Sequence, residues 1–230
     1  MSLSKRRQAF EKFLKSRSFT CVGAKAALVQ NQLRVVEAGA IDSPLHDVEI
    51  RTAVIDFIAE LDRDGPRLQS LVVLFEGPGD LCEASFERIL WSRLQALRNM
   101  DVAAGEPWAE DVSPDPNSAH FSMSLAGEPF FVVGLHSGAS RPARRFAYPA
   151  MVFNAHRQFD ALRADGRYDT MKAIIREREE AAYGSINPML ADFGEGREAA
   201  QYSGRQVGAR WRPEFDPKVC LKPKADAKQD

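Results

Sequence analysis

Six consecutive residues, Ser70 to Phe75 (SLVVLF), constrain the fold of this chain more than any other feature. The run is rich in valine and apolar after its first residue, and it ends at the turn Glu76-Gly77-Pro78-Gly79. Alternate side chains of a strand point to opposite faces of its sheet, so a strand that is apolar at every position is covered on both faces. The run therefore predicts a central strand with helices packed on both sides.

Hydrophobic periodicity predicts the other elements. Helices are predicted at 4–16, 43–65, 80–100, 154–163 and 168–183, and strands at 19–22, 33–37, 120–125, 129–135 and 147–153. Strands separated by helices, followed by consecutive strands and two helices, indicate an α+β fold with a mixed, largely antiparallel sheet covered by helices. We expect a single domain at 1–208 and a C-terminal tail at 209–230 that is partly disordered.

Charge and cysteine content exclude several classes of partner. Lys and Arg total 31 and Asp and Glu total 32, which gives a net charge of -1. This balance argues against duplex DNA and anionic membranes as partners, because both are held by bulk positive charge. The three cysteines are far apart without a C-x-x-C pair, and the first residues contain no apolar signal segment, so we expect a cytoplasmic protein.

The loop after the apolar strand FFVVGL holds the first candidate binding site. His136 follows that strand directly, and sheets usually present their sites at the ends of buried strands. Arg141, Arg144 and Arg145 come next, and guanidinium groups match carboxylates or phosphates in bidentate fashion. The pattern predicts an oxyanion clamp beside an imidazole. A solvated basic loop is the alternative.

A second histidine, His156, lies in the first turn of a predicted helix. A helix N-terminus disfavours the protonated imidazole, which leaves a ring nitrogen free to bind a metal or accept a proton. A histidine that packs or caps at the helix start is the alternative. Glu76, directly after the central strand, is the carboxylate that we expect to orient a cationic substrate. Cys21 either contacts a ligand or is an inert buried thiol.

Four blocks of the chain resemble the YqcI/YcgG family, over roughly residues 17–208. They are FTCVGAKAAL (19–28), VVLFEGPGDLCEASFERILWSRLQALRNMD (72–101), HFSMSLAGEPFFVVGLHSGASRPARRFAYPAMVFNAHRQFDALR (120–163) and SINPMLADFGEGREAAQYSGR (185–205). The family includes small haem-dependent monooxygenases that N-hydroxylate guanidino groups, a pre-guanitoxin N-hydroxylase and an arginine hydroxylase among them. The resemblance therefore implies haem b with its iron, an external electron donor such as a ferredoxin- or flavodoxin-type reductase, or peroxide, and a small cationic substrate.

The resemblance also implies roles for individual residues in 136–146 and 152–159. Either His136 or His156 is the expected axial ligand of the haem iron, and we keep both. The remaining expected cofactor contacts are Arg141, Arg144 and Arg145 near the propionates and Phe130, Phe131, Phe153 and Phe159 around the macrocycle. Ser137 departs from the family pattern, which usually has proline there, and this could loosen the loop after His136.

Two competing functions remain open. The first is a haem-binding protein without turnover, for storage, sensing or degradation. The second is a binding module in which the arginine loop holds a small anion and no haem is involved.

Overall fold

A mixed sheet forms the centre of the computed structural model, which describes residues 4–61 and 68–218. Its five strands within these residues are β1 (Leu33–Ala38), β2 (Ser70–Phe75), β3 (Met123–Leu125), β4 (Glu128–Leu135) and β5 (Ala150–Ala155). They are ordered β1-β2-β5-β4-β3, with β1 parallel to β2 and each other neighbouring pair antiparallel. The α+β class with a mixed, largely antiparallel sheet is confirmed.

Helices lie on both sides of this sheet. In the same described residues they are α1 (Lys5–Lys15), α2 (Val22–Val29), α3 (Asp47–Glu60), α4 (Glu83–Ala104), α5 (His156–Ala164) and α6 (Arg167–Tyr183). α4 ends at Gly105, whose φ of 77° lies in the left-handed region that favours glycine. The predicted end of the second helix at Gly65 falls outside the described residues. None of the helices described here has the length and hydropathy that crossing a bilayer requires.

Burial on both faces explains the apolar sequence of the central strand β2. Leu71, Val73 and Phe75 belong to the core formed with α3 and α4, whereas Val72 and Leu74 belong to a second core on the opposite side, formed with α1. All six residues of β2 are buried, as the run of apolar residues predicted. We call the side of Leu71 the α4 face and the side of Val72 the α6 face.

The α4 face leaves no space near the C-terminal end of β4. A Cβ atom added to Gly134 would lie 2.6 Å from both Leu90 Cδ1 and Phe86 Cε1 of α4. Contacts this short do not occur between carbon atoms, so only glycine fits at this position. α4 therefore packs directly on the strand.

The segment after residue 208 continues onto the α4 face. The Trp211 and Phe215 side chains pack against the core, with ring centroids 6.2 and 5.5 Å from that of Trp91. The residues 219–230, which include most of the part for which we predicted disorder, lie outside the described residues.

Two local predictions were wrong. The strand predicted at 19–22 does not form, because Val22 begins α2, and its segment VGAKAALV contains three alanines, the residue with the highest helix propensity. The helix expected to be capped by Asn154 begins at His156 instead. Asn154 belongs to β5, where it pairs with Phe131 of β4.

Candidate functional site

A cavity of about 320 Å³ lies on the α6 face of the sheet. Its floor is formed by the three central strands, with Val72 from β2, Val133 from β4 and Val152 from β5. Walls come from α2 and α6, and residues 190–193 close one side. Across the whole of α6, all of which is described, Glu179 is the only buried residue. α6 therefore covers the sheet without inserting large apolar side chains into it, and this leaves the space.

His156 is held in this cavity by a buried carboxylate. It is the first residue of α5 and is 8% exposed, and its Nε2 lies 2.9 Å from Glu198 Oε2. The other carboxylate oxygen of Glu198 accepts a 2.6 Å hydrogen bond from the hydroxyl of Tyr202. When a neutral ring donates from Nε2, the lone pair of Nδ1 remains available. Nδ1 makes no hydrogen bond with any residue that the structure describes.

Ser122 completes the contacts of His156 but does not form a nucleophilic triad with it. Ser122 Oγ lies 2.9 Å from the same Nε2 atom that faces Glu198. In serine–histidine–carboxylate catalysis, the serine and the carboxylate contact opposite ring nitrogens. Ser122 is also fully buried and donates to the carbonyl of Phe130 at 3.1 Å. The arrangement orients the imidazole and does not indicate a hydrolase.

The cationic side chains that line the cavity differ in how many hydrogen-bond and ion-pair partners they have. Those among the described lining are Arg141, Arg144, Arg163, Lys172 and Arg176. Lys172 pairs with Asp192 at 2.6 Å, whereas Arg176 makes no hydrogen bond or ion pair within the described residues. Arg141 donates from Nη2 to Ser185 O at 2.8 Å, but its Nε is buried and no described residue accepts from it. Arg141 and Arg176 are thus the cations that remain for an acidic ligand.

Glu179 is the carboxylate best placed for a positively charged ligand. It is 6% exposed and lines the cavity, and its Oε2 accepts from the backbone N–H of Asn187 at 3.0 Å. Arg141 Nη2 lies 3.6 Å from the same oxygen. Oε1 makes no hydrogen bond with any other described residue. Glu179 and Arg141 thus form a buried ion pair in which one carboxylate oxygen and the Nε of Arg141 make no hydrogen bond with a described residue.

The structure separates the two candidate histidines. His136 lies on the α4 face, where it is 1% exposed and stacks on Phe86 with ring centroids 4.2 Å apart. Its Nδ1 contacts Leu81 O at 3.2 Å, while Nε2 is buried without a partner among the described residues. Burial lowers the pKa of His136. This histidine does not line the cavity.

The arginines of the loop after His136 also lie in different places. Arg144 lines the cavity, but it donates to the carbonyls of Gly134, Gln201 and Tyr202, and burial lowers its pKa to about 10. Its hydrogen-bonding capacity is largely used to hold the fold together. Arg145 is exposed outside the cavity, where it donates to the carbonyls of Ala139 and Ser140. The compact clamp of three arginines that the sequence predicted does not form.

The remaining predicted site residues are also distributed between the two faces. Phe131 and Phe159 line the cavity, as does Cys21, whose thiol pKa is raised by burial. Phe130 and Phe153 lie in the core of the α4 face, and Glu76 is exposed at the end of β2. None of these last three lines the cavity.

Sequence reasoning missed Ser122, Glu179, Glu198 and Tyr202 as site residues. A signal was present for three of them. Ser122 lies in the matching block 120–163, and Glu198 and Tyr202 lie in the block 185–205, yet no role was assigned to them. Glu179 had no comparable signal, since an acidic residue in a charged helix usually faces solvent.

The donor set indicates what the cavity can hold. No cluster of three or more His, Cys, Asp and Glu side chains suited to a metal ion occurs in the described part of the chain. A bare zinc ion needs at least three protein ligands, whereas haem iron needs only one or two axial ones. A single supported imidazole, apolar strand side chains and unsatisfied cations fit a flat metal macrocycle with acidic groups.

The fold and site define a class: an α+β protein that has a histidine-containing, largely apolar cavity between a mixed sheet and a covering helix. The chain belongs to the YqcI/YcgG family, whose model matches residues 10–215.

Two relatives from Bacillus subtilis (strain 168) are similar to this chain. YcgG is 29% identical over 194 residues, which cover 80% of this chain and 75% of YcgG. YqcI is 27% identical over 190 residues, which cover 78% of this chain and 72% of YqcI. Both are named as uncharacterized proteins, so they support the family and leave the activity to be proposed. No solved structure matches the chain.

Proposed function

We propose that this protein is a haem-dependent monooxygenase that N-hydroxylates an amine or guanidino group of a small amino-acid-like molecule. Haem b would bind in the cavity on the α6 face with His156 as its protein ligand. The observation that carries the proposal is the state of His156: Nε2 contacts a buried carboxylate, and Nδ1 is without a partner among the described residues.

Glu198 supports this role for His156. Metal-bound histidines commonly donate their second ring N–H to a carboxylate, which fixes the ring orientation and raises the basicity of the ligand. In this protein the carboxylate is itself fixed, because Tyr202 donates to it at 2.6 Å. We therefore expect ligation through Nδ1 of His156.

The two acidic groups of haem need cationic partners in the same cavity. Arg141 and Arg176 meet this need, since each lines the cavity and neither has its full set of acceptors among the described residues. Desolvated, charge-assisted hydrogen bonds between guanidinium and carboxylate are stronger than those on an exposed surface. Arg141 is thus kept as a candidate for holding the propionates, and Arg176 replaces Arg144 and Arg145.

Glu179 replaces Glu76 as our candidate for orienting a cationic substrate. Its carboxylate is buried at the cavity wall and one oxygen makes no hydrogen bond with a described residue, whereas Glu76 is exposed away from the cavity. Bound haem would supply the activation of O₂ or peroxide and the transfer of the oxygen atom. The protein would orient the substrate through Glu179 and exclude water with the apolar strands. A ferredoxin- or flavodoxin-type reductase, or peroxide, would complete the reaction.

An absorption spectrum tests cofactor binding. We expect purified protein reconstituted with haemin to show a Soret band, and its ferrous CO complex to have an imidazole-type spectrum. A thiolate-type spectrum would point to Cys21, but burial raises the pKa of that thiol and so disfavours the thiolate that binds iron. His156→Ala should lose the spectrum of the ligated haem and regain it when imidazole is added. His136→Ala, the matched control on the α4 face, should retain it.

A spectral titration tests turnover. Arginine and related guanidines should perturb the haem spectrum, and mass spectrometry should detect a product heavier by one oxygen atom after reductant and O₂, or peroxide, are added. Loss of one charged hydrogen bond costs about 1.5–3 kcal/mol, so Glu179→Gln should weaken the spectral response roughly ten- to a hundredfold. Glu76→Gln should not change it. Haem binding with no response to any amine or guanidine and no product would support the non-catalytic haem-binding alternative.

A further inference from the structure

Three aromatic side chains form a continuous path from the His156 site to the protein surface. Tyr202 is fully buried, and its ring lies 5.9 Å from that of the cavity-lining Phe131. Trp91 stacks on Tyr202, with centroids 5.5 Å apart and planes 18° from parallel. Trp211 follows, with its centroid 6.2 Å from that of Trp91, and is partly exposed.

Proton acceptors are present at the two ends of this path and missing in its middle. The hydroxyl of Tyr202 donates to Glu198 Oε1 at 2.6 Å, and the indole N–H of Trp211 donates to Glu87 Oε1 at 2.9 Å. Nε1 of Trp91 is buried, and no described residue accepts from it. Glu87 is held in place by hydrogen bonds from Ser203 and Arg205, which fixes its carboxylate beside the Trp211 indole.

We propose that Tyr202, Trp91 and Trp211 form an electron-transfer relay that carries oxidising equivalents out of the cavity to the surface of the α4 face. The inference rests on the proposed oxidative function. An oxygenase produces a strong oxidant even when no substrate is bound, and the relay would discharge that oxidant before it damages the cavity.

The electrons and protons of each step balance along this path. Tyr202 would give one electron to bound haem that hydrogen peroxide has oxidised. Its hydroxyl proton would move to Glu198, which leaves a neutral tyrosyl radical. Trp211 then reduces this radical by way of the stacked Trp91 ring, and the proton returns to Tyr202 from Glu198. No described residue accepts a proton from Trp91, so Trp91 passes the electron on without losing its indole proton. The indole proton of Trp211 moves to Glu87, which releases it to solvent. A thiol at the surface restores Trp211 by donating a hydrogen atom, and two of the resulting thiyl radicals couple to a disulfide.

One experiment tests the relay without haem by following the same path in the reverse direction, from an oxidised tryptophan to Tyr202. Azide radicals generated by pulse radiolysis oxidise tryptophan side chains, and transfer to tyrosine appears as decay of the tryptophanyl absorption with growth of the tyrosyl absorption. In the purified protein this transfer should occur at a rate that does not depend on protein concentration. Tyr202→Phe and Trp91→Phe should both lose it.

Two further variants keep this test decisive. Trp108→Phe is the matched control, because Trp108 packs in the same aromatic cluster against Phe121 and Phe215, and the transfer should persist in it. Trp91 is 2% exposed, and its replacement could unfold the chain. Trp211→Phe should also lose the transfer, and Trp211 is partly exposed, so its replacement disturbs the fold less. Thermal melting verifies that each variant is folded. Unchanged transfer in folded Tyr202→Phe and Trp211→Phe would overturn the relay.

A second experiment uses the haem-loaded protein. Freeze-quenched samples mixed with peroxide should show a tyrosyl or tryptophanyl radical by electron paramagnetic resonance, with the tyrosyl signal lost in Tyr202→Phe. If the loaded protein hydroxylates a guanidine but forms no such radical, the relay is wrong and the proposed function stands. If the protein binds no haem, the proposed function fails, and the pulse-radiolysis result alone decides whether the three residues transfer electrons.

Discussion

The two faces of the sheet have similarly apolar strand residues but are covered in different ways. On the α4 face, a 22-residue helix presses Phe86 and Leu90 against β4 so closely that only Gly134 fits between them. On the α6 face, a 17-residue helix buries only Glu179 and leaves a cavity of about 320 Å³. The difference teaches that the covering helix, and not the strand, decides which face of a sheet can bind a ligand.

The two candidate histidines follow the same division. His136 on the α4 face stacks on Phe86, where there is no room for a ligand. His156 on the α6 face lines the cavity and is held by Glu198. Four predictions test this contrast.

The largest expected effect is on stability. Leu90→Ala on the fully packed face should lower the free energy of unfolding by about 2–5 kcal/mol, because the surrounding structure cannot close the hole that remains. Ile175→Ala on α6 should cost less than about 1 kcal/mol, since this side chain already borders an open cavity. Urea denaturation measures both. Equal losses would mean that the α6 face is as tightly packed as the α4 face.

The second prediction compares a buried carboxylate at the cavity with a more exposed one in the first turn of α4. Glu198→Gln should cost about 1.5–3 kcal/mol, because it removes the charge from two short hydrogen bonds, to His156 and Tyr202. Glu83 accepts from the N–H and hydroxyl of Ser140, and Glu83→Gln should cost at most about 1 kcal/mol at this exposed contact. Denaturation curves of the two variants give the comparison. A larger loss for Glu83→Gln would contradict it.

The third prediction concerns retention of the cofactor. Arg141→Gln should weaken haem binding by about tenfold or more, since it removes a charged hydrogen bond in a partly buried site. Arg145→Gln should leave haem affinity unchanged, because Arg145 is exposed and donates to carbonyls of its own loop. Competition with apomyoglobin measures both affinities. If both variants bound haem equally weakly, Arg145 would contact the propionates, as the sequence predicted.

The smallest expected effect is a pH dependence of the unfolding free energy, caused by His136 on the α4 face. Burial lowers the pKa of His136 below its ordinary value of 6.5. The unfolded chain binds a proton at this residue near pH 6.5 while the folded chain does not, so the stability from the neutral ring is fully present above that pH. It is lost as pH falls from there through the lower folded-state pKa.

Unfolding free energies measured between about pH 7.5 and 5.5 check this prediction. His136→Gln should flatten the dependence in this range, whereas His120→Gln, at an exposed position, should leave it as in the unmodified protein. An unchanged slope in His136→Gln would show that His136 is protonated equally in both states.

Part of the candidate site could be read from the sequence. His156, Arg141, Phe131 and Phe159 were all named as site residues, and all four line the cavity. His136 was named with them because it follows an apolar strand, Arg145 because it belongs to the arginine loop, and Phe153 because of the family resemblance. Strand alternation then separated them: in β4, Phe131 and Val133 face α6, while Phe130 and Val132 face α4, and His136 continues the second series.

Glu76 shows a second reason why site residues could not all be predicted from the sequence. A carboxylate at the end of a buried strand was a reasonable candidate, because binding residues often lie at such ends. In this fold the cavity opens over the middle of the strands, under α6, so the end of β2 lies away from it. The position of α6 depends on polar contacts such as Lys172 with Asp192 and Glu179 with Asn187, and these have no periodic signature in the sequence.

The sequence by itself determined the class of fold, because periodicity is a local property. Five consecutive apolar residues in β2 require cover on both faces. The apolar positions of α4 recur at helical spacing, a pattern that does not depend on the rest of the fold. Only the tertiary structure decided which face is filled and which side chains meet across it. The contact of His156 with Glu198 joins residues 42 positions apart, and the distance between them depends on how the segment that holds Glu198 and Tyr202 packs against β3 and β4. Such distances follow from the packing of all the elements together, and no single segment encodes them.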